Sequence, residues 1–522
     1  MMENYKLNTV VEMLHRVVET RRDVDAFVEA DRRVTYEEFG SCVARLKRIL
    51  SKNLVKNQRI AIVMPNSIEL AVAIFAVWKA DAQVALFNPS YPMAELSPLL
   101  KDAAPTVIIA DSENVEELCD FATDESIVLL SFSRHGNGGS TQSDITLSDL
   151  NRSPLEVLDN TMPSPESLAL LLYTGGTTGL SKGVIHSHAS LMASTKNMHR
   201  CWPTDFDEVV WLSVAPMFHI WGLMFGFLNP IFSRATNVMV YPFRPELALQ
   251  AMSDHKVTVF GGGPPAFYQA LLASPAFIDN GYPHLKTCPG GGAAFPLELH
   301  TRWKVKTGQA ISEALGMTEI SPICGYRGKP SKLGSVGPVI PTMLLEIVDL
   351  EDKFVVLGRN QKGEIRVRGP NAMLGYRNRS EDTAETLIDG WIYTGDIGHL
   401  DEDDFLFVTD RKKDMVNVSG FKVFPRELDE LLYQHPDIEE ACTTGVQDPR
   451  TGEAVCVFAV PQKNVTLDKA SILSYMESKV VKYKLPKYIF IVDSIAKTQA
   501  NKPDRKTLKL QAESIINARG DH

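Results

Sequence analysis

Along the first half of the chain, short runs that are apolar at every position alternate with stretches of helical character. Ile60 to Met64 reads as a strand, Pro65 to Ser67 as a turn carrying an N-cap, and Ile68 to Lys79 as an apolar, largely buried helix. The strand Val84–Phe87, the turn Asn88–Pro92, the helix Ala94–Lys101 and the strand Val107–Ala110 follow. Strands without polar alternation are buried on both faces, which implies parallel sheet with helices on either side and right-handed crossovers. Ser133 to Asp144 lacks apolar residues and reads as a surface loop. The alternation then resumes with strands at Val209–Val214, Val238–Tyr241 and Val257–Phe260, and with helical stretches near Leu223 and from Pro245 to His255. Two such arrays predict two doubly wound sheets with a cleft between them.

From Gly334 the texture becomes a Gly- and Pro-rich meander, as in Gly363 to Gly369 (GEIRVRG), which predicts a small distorted β-barrel. Past the charge cluster Asp410 to Asp414 lies an α+β segment of about a hundred residues, with a helix over Pro425–Gln434 and strands near Ala441–Val446 and Val455–Pro461. The expected fold is therefore α/β: an N-terminal domain over 1–409, of two doubly wound sheets plus the barrel, and a C-terminal α+β domain over 410–522 on a hinge.

Composition narrows the partners. A chain of 522 residues is too long for one core. A net charge of -10 leaves no basic surplus for nucleic acid, so an anionic substrate must be held by local cations. The seven cysteines include no C-x-x-C pair, which points to reduced, buried thiols and a cytoplasmic home. Glu3, Arg16, Arg21 and Arg22 interrupt any signal-like run. The apolar stretch Val214–Phe232 is broken by Pro216, His219, Asn229 and Pro230, so it reads as buried strand, loop and helix and not as a membrane span.

The densest chemistry lies in Tyr173 to Gly183 (YTGGTTGLSKG), which follows the apolar run Leu168–Leu172. Gly175, Gly176, Gly179 and Gly183 let backbone N–H groups approach an anion, Thr174, Thr177 and Thr178 add hydroxyl donors, and Lys182 adds a positive charge. The ligand class this implies is a polyphosphate, with a plain Gly/Thr hairpin as the bland alternative. A Walker loop is ruled out, because Ser181 precedes Lys182 and Gly183 follows it.

This stretch resembles the signature loop of the adenylate-forming superfamily, which holds acyl-CoA synthetases, aryl-CoA ligases, peptide adenylation domains and beetle luciferases. Gly175, where most members carry Ser, is similar to bacterial long-chain fatty-acid-CoA ligases. Further motifs stand in the family's order from Val34-Thr35-Tyr36 to Lys502. The resemblance implies that Gly291, Gly292, Ala293 and Ala294, with Leu315, Gly316 and Met317, flank adenine, and that Thr318 and Glu319 meet phosphate and Mg²⁺, Thr178 sharing the metal. It assigns Asp396, set in a tight Thr394-Gly395-Asp396 turn, and Arg411 to the ribose. His219, Trp221, Gly263 and Gly292 fall on the acyl pocket, Ser419, Gly420 and Phe421 on the CoA tunnel, Asp410 and Lys413 on the hinge, and Lys502 on the catalytic lysine. Core packing is the competing role for His219 and Trp221, an ordinary β turn for Gly420, a helix cap for Glu319, an Asx cap for Asp396 and a solvated basic tail for Lys502.

Two departures stand out. Leu315 replaces a usual aromatic, whose stacking on a base is worth about 1–3 kcal/mol, and Asn501 replaces the usual Gly before Lys502. The implied activity is an ATP-dependent acid–thiol ligase acting with Mg²⁺ and CoA. The likeness of Asp410 to Pro425 favours a medium- or long-chain fatty acid. An aryl-CoA ligase, an acyl-AMP ligase loading a carrier-protein phosphopantetheine, and a catalytically silent nucleotide-binding protein stay open beside it.

Overall fold

The computed structural model describes residues 6–52, 58–133, 145–174, 181–204, 209–293, 295–325, 332–497 and 503–519. At its centre is the helix Ile68–Lys79, every residue of which is buried. The Ser67 hydroxyl accepts from the Leu70 N–H at 3.1 Å and so starts the helix where the sequence places it. A helix apolar all round belongs between layers. It packs on the helix Tyr36–Leu50 and on the strands Arg59–Val63 and Gln83–Phe87.

Those strands belong to an eight-stranded sheet in the order 375–376, 183–187, 168–173, 83–87, 59–63, 107–111, 128–133, 145–146. From Leu168–Tyr173 onward the neighbours run parallel, whereas Gly183–Ser187 and Gly375–Tyr376 add antiparallel at the other edge. The second sheet places Val259–Phe260, Val210–Ser213, Thr236–Met239 and Asp25–Glu29 side by side and parallel, with Arg32–Thr35 antiparallel at its edge. Parallel bridges at Val259–Thr287 and Gly263–Gly290 continue it into the pair Cys288–Gly291 and Ile311–Ala314. The expected surface loop, apart from Ser133, lies outside the described residues.

The stretch Val214–Phe232 differs in detail from the expected strand, loop and helix. After His219 come the helix Ile220–Leu223, a π-helical turn Met224–Leu228 and the helix Asn229–Phe232. The cause is Pro230, which has no N–H to offer the Gly226 carbonyl four residues back. That carbonyl accepts instead from Ser213 Oγ at 2.6 Å and Asn237 Nδ2 at 2.9 Å.

The expected meander forms an antiparallel array of Leu344–Val348, Gly363–Arg368, Trp391–Leu400 and Leu387–Ile388, with Leu406–Arg411 added to Trp391–Leu400. The C-terminal segment is α+β. Alternate residues of its strand Gly452–Pro461 enter two cores, as the pleat requires: Val455, Val457 and Ala459 meet Leu428, Leu432, Ile472 and Met476, while Cys456, Phe458 and Val460 meet Leu508, Ala512 and Ile516. Among the described residues no helix is long and apolar enough to cross a membrane. All seven cysteines are free, and only Cys119 is exposed.

Asn66 ties the two parallel sheets together. Its Nδ2 donates to the Ala215 carbonyl at 2.8 Å and its Oδ1 accepts from the Met217 N–H at 2.7 Å, all in the buried interior. Each buried polar group left unpaired costs about 1–3 kcal/mol. Asn66→Ala is therefore expected to lower unfolding stability by about 2 kcal/mol or more, read from the urea midpoint. An unchanged midpoint would show that the clamp is not needed.

Candidate functional site

The second sheet builds one wall of the site. Its parallel strands all end at the same edge, and the loops leaving four strands of the sheet and its extension carry candidate residues: Ser213 leads to His219, Phe260 to Gly263, Gly291 to Gly292 and Ala293, and Ala314 to Leu315 through Glu319. In open α/β sheets the crevice at the carboxyl ends of the strands is where ligands bind. Gly291 and Ala314 are register partners, so the two expected adenine segments leave the sheet side by side. Gly292 has φ +80°, a conformation that favours glycine, and lets the chain turn away at once. Ala294 lies outside the described residues.

The other wall comes from the first sheet. Tyr173 pairs antiparallel with Gly183, and the Thr174 N–H donates to the Lys182 carbonyl at 3.0 Å, so the two ends of the glycine-rich stretch are held together. Gly175, Gly176, Thr177, Thr178 and Gly179 lie outside the described residues. Lys182 Nζ is 2.5 Å from Asp382 Oδ1 and 5.0 Å from the centroid of the Tyr376 ring. Tyr376 donates its hydroxyl to Glu319 Oε1 at 2.6 Å, and burial, followed by the Glu319 charge, pushes its phenol far up from 10. Because Tyr376 also pairs with Val184, one strand positions the lysine, the tyrosine and, through the tyrosine, the carboxylate.

His186 on the same strand closes the join. Its Nε2 lies 2.8 Å from the Thr318 carbonyl, 132 residues away, and its Nδ1 lies 3.2 Å from Ser190 Oγ. A carbonyl can only accept, so Nε2 carries the proton and donates. Burial lowers the pKa of this ring from 6.5 to about 4, which keeps it neutral at ordinary pH.

Asp396 and Arg411 are register partners on neighbouring strands, with Arg411 Nε 3.0 Å from Asp396 Oδ1. The Asp396 carboxylate is the largest influence holding the guanidinium protonated, and Glu319 adds to it. The tight turn expected around Asp396 is instead a bulge inside the continuous strand Trp391–Leu400. Thr394, Gly395 and Asp396 together face Ile365, and Gly395 takes φ +69°. A left-handed glycine is what lets a bulge re-aim a side chain without ending the strand.

Asp410, the expected hinge, is the penultimate residue of the strand Leu406–Arg411. Its carboxylate accepts from the Arg411 N–H at 2.7 Å and from the Arg426 N–H at 2.8 Å. The helix Pro425–Leu432 has no side-chain cap of its own, so a residue of the preceding sheet supplies one. Burial raises the pKa of Asp410 from 3.8 to about 6. Lys413 is exposed beyond it. Ser419 and Gly420, with φ of 51° and 87°, form a two-residue hairpin turn. Phe421 stacks on Tyr483 at 4.6 Å, and Lys422 lies 3.3 Å from Glu351, so this hairpin rests on the antiparallel array. Lys502 lies outside the described residues.

The structure thus joins Lys182, Glu319, Asp396 and Arg411 around one cleft edge and arranges His219, Trp221, Gly263 and Gly292 along the adjoining strand ends. Tyr376, Asp382 and His186 were not singled out from the sequence. Their roles arise from contacts across 57 residues or more, and no local pattern marks them.

Residues 14–377 match the family described as AMP-binding enzyme, and residues 427–502 match the AMP-binding enzyme C-terminal domain. A long-chain-fatty-acid–CoA ligase of Bacillus subtilis (strain 168) is 30% identical over 506 residues, covering 91% of this chain and 90% of its own. 4-Coumarate–CoA ligase 4 of Arabidopsis thaliana is 31% identical over 469 residues, covering 87% and 82%. The crystal structure of ATP-bound MatB from Rhodopseudomonas palustris superposes with a TM-score of 0.89 at 27% identity, covering 97% of this chain and 99% of that one.

The His186 bond carries a pH signature. The unfolded chain takes up this proton near 6.5 and the folded one only near 4, so the stabilisation is full above 6.5 and is lost as pH falls through about 4. His186→Gln is expected to flatten the fall in urea midpoint between those pH values. Identical slopes for the two proteins would contradict the placement of a neutral, buried ring.

Proposed function

Because the chain belongs to the AMP-binding enzyme family, we propose that it is an ATP-dependent acid–thiol ligase that converts a carboxylic acid to its CoA thioester through an acyl-adenylate. What supports this is the meeting of the two sheets at Lys182, Tyr376 and Glu319, beside the Asp396–Arg411 pair.

The carboxylate oxygen attacks the α-phosphorus of ATP and pyrophosphate leaves; the CoA thiol then displaces AMP from the acyl carbon and gives up its proton. Both partners of the first step are anions, so the work is positioning and neutralisation. In the proposed arrangement the glycine-rich stretch with Thr178 holds the β- and γ-phosphates, and Lys182 exchanges Asp382 for phosphate. Asp396 and Arg411 take the ribose hydroxyls, His219 orients the acid, and Lys502 bridges carboxylate and α-phosphate. The Glu319 carboxylate is a hard oxygen donor fixed by Tyr376, and no group of three His, Cys, Asp or Glu gathers among the described residues. That suits Mg²⁺, which binds through one or two protein oxygens together with substrate phosphates. Glu319 and Thr178 would hold it, and when bound it neutralises phosphate charge.

For the second step the domain over 410–522 would turn about Asp410 and Lys413 and bring Gly420 with its neighbours Ser419 and Phe421 to the thiol. Free CoA discharging the adenylate separates this function from loading of a carrier protein. The relatives' names span fatty and aromatic acids. A medium- or long-chain fatty acid is the finer expectation from the likeness at Asp410–Pro425.

Acid-dependent exchange of labelled pyrophosphate into ATP tests the function directly, and its absence for every acid would refute it. Lys502→Ala is expected to suppress that exchange by about 2.7–4 kcal/mol while sparing thioester formation from supplied acyl-adenylate; equal loss of both steps would contradict the role given to Lys502. Tyr376→Phe removes only the hydroxyl that fixes Glu319. Loss of such a supporting bond is expected to raise the Mg²⁺ needed for half-maximal exchange about 10- to 100-fold, and an unchanged Mg²⁺ dependence would free Glu319 from the metal.

A further inference from the structure

Behind Tyr173 and Gly183, one carboxylate holds the edge of the first sheet. Asp102 stands half-buried in the last turn of the helix Met93–Ala103. Its Oδ2 accepts from the Tyr173 hydroxyl at 2.6 Å and its Oδ1 from Asn378 Nδ2 at 3.0 Å, while its main-chain carbonyl accepts from Arg377 Nε. Tyr173 ends the strand that enters the glycine-rich stretch, and Gly183 begins the strand that leaves it. The Arg377 N–H donates to the Gly183 carbonyl at 2.8 Å. The strand Gly183–Ser187 is therefore gripped between two neighbours that are both tied to Asp102. The Tyr173 ring presses on it as well, since a Cβ at Gly183 would lie 3.1 Å from Tyr173 Cε1, and Phe87 backs that ring at 5.5 Å. Burial, followed by Asp102, pushes the Tyr173 phenol far up from 10, so it stays a donor.

Two observations separate this clamp from ordinary packing. Leu96, Leu99 and Leu100 already seat the helix against Leu171, Tyr173 and Ile185, so the carboxylate is not needed to fill that core. Tyr376 lies in the core on the opposite face, so Asp102 grips the sheet edge from one side while Tyr376 reaches Glu319 on the other. What Asp102 adds is a fixed separation between Tyr173, one residue before Thr174, and Asn378, two residues after Tyr376. Glycine has the most backbone freedom to lose on ordering. A glycine-rich stretch thus takes its placement from its two ends, and fixing those ends in advance lowers the cost of binding an anion.

We infer that Asp102 is a positioning residue for the triphosphate of ATP, acting through Tyr173 and Asn378 to set the spacing of Thr174, Lys182 and Tyr376. This rests on the nucleotide site of the function proposed above and adds to it a residue that touches no substrate.

The test is calorimetry of the whole protein with Mg²⁺ and either α,β-methylene-ATP, which cannot release pyrophosphate, or AMP. Asp102→Ala is expected to weaken binding of the triphosphate about 10- to 100-fold and to leave AMP within about twofold, as a misplacement confined to the phosphate end requires. Tyr173→Phe keeps the ring and removes one bond, and is expected to weaken the triphosphate about three- to tenfold. Asp102→Asn keeps both bonds, because its amide oxygen accepts from Asn378 and its amide nitrogen donates to the Tyr173 oxygen; it should bind the triphosphate as the native protein does. In pyrophosphate exchange, Asp102→Ala should raise the KM for ATP and leave the KM for the acid unchanged. Equal weakening of triphosphate and AMP, or unchanged triphosphate binding in Tyr173→Phe and Asp102→Ala, overturns the inference and leaves the ligase function standing. A native protein that binds both nucleotides but exchanges pyrophosphate with no acid refutes the ligase function, and selective loss of triphosphate binding in the variants then still supports the inference. A native protein that binds neither nucleotide overturns both.

Discussion

The hydrogen bond from His186 to the Thr318 carbonyl holds the site together, because it joins a strand of one sheet to a loop of the other where two sheets that share one core meet. One end sits on the strand that carries Lys182 at its entrance and pairs with Tyr376. The other sits on the loop that carries Glu319. A buried carbonyl must find a donor, and a ring kept neutral by burial provides one without bringing a charge into the interior. The strand order follows from the same economy. Parallel strands leave their loops at one edge, so residues separated by a hundred positions or more arrive in one cleft.

Much of this was legible in the sequence because it depends on period and on local chemistry. The helix Ile68–Lys79 falls where Ser67 and the apolar run place it, and the strand ends near 63, 87, 111, 213 and 260 follow from short apolar runs closed by turn residues. The pairing of Asp396 with Arg411 was accessible only through the resemblance, since register between strands is set by tertiary contact. The bulge at Gly395 and the π-helical turn before Pro230 were missed for a common reason. Each is a local rule, one of glycine and one of proline, resolved by a partner far away: Ile365 in the first case, Ser213 and Asn237 in the second. Tyr376, Asp382 and His186 left no local trace at all.

Polar contacts join the antiparallel array to the C-terminal α+β segment at Asp410. The carboxylate stands at the end of the strand Leu406–Arg411 and caps the helix Pro425–Leu432, while a salt bridge from Lys362 to Glu427 at 2.5 Å lies alongside. The indole of Trp221 is the opposite case, wedged between the backbones of Gly263 and Gly291 and backed by Phe225 and Trp202.

The central claim is that three segments distant in sequence converge on a single nucleotide. Hydrogen exchange followed by mass spectrometry, with and without ATP and Mg²⁺, measures that convergence segment by segment. Simultaneous slowing across 183–187, 314–320 and 391–411 is the predicted result. Slowing confined to one of them, or absent from all three, would contradict a shared site.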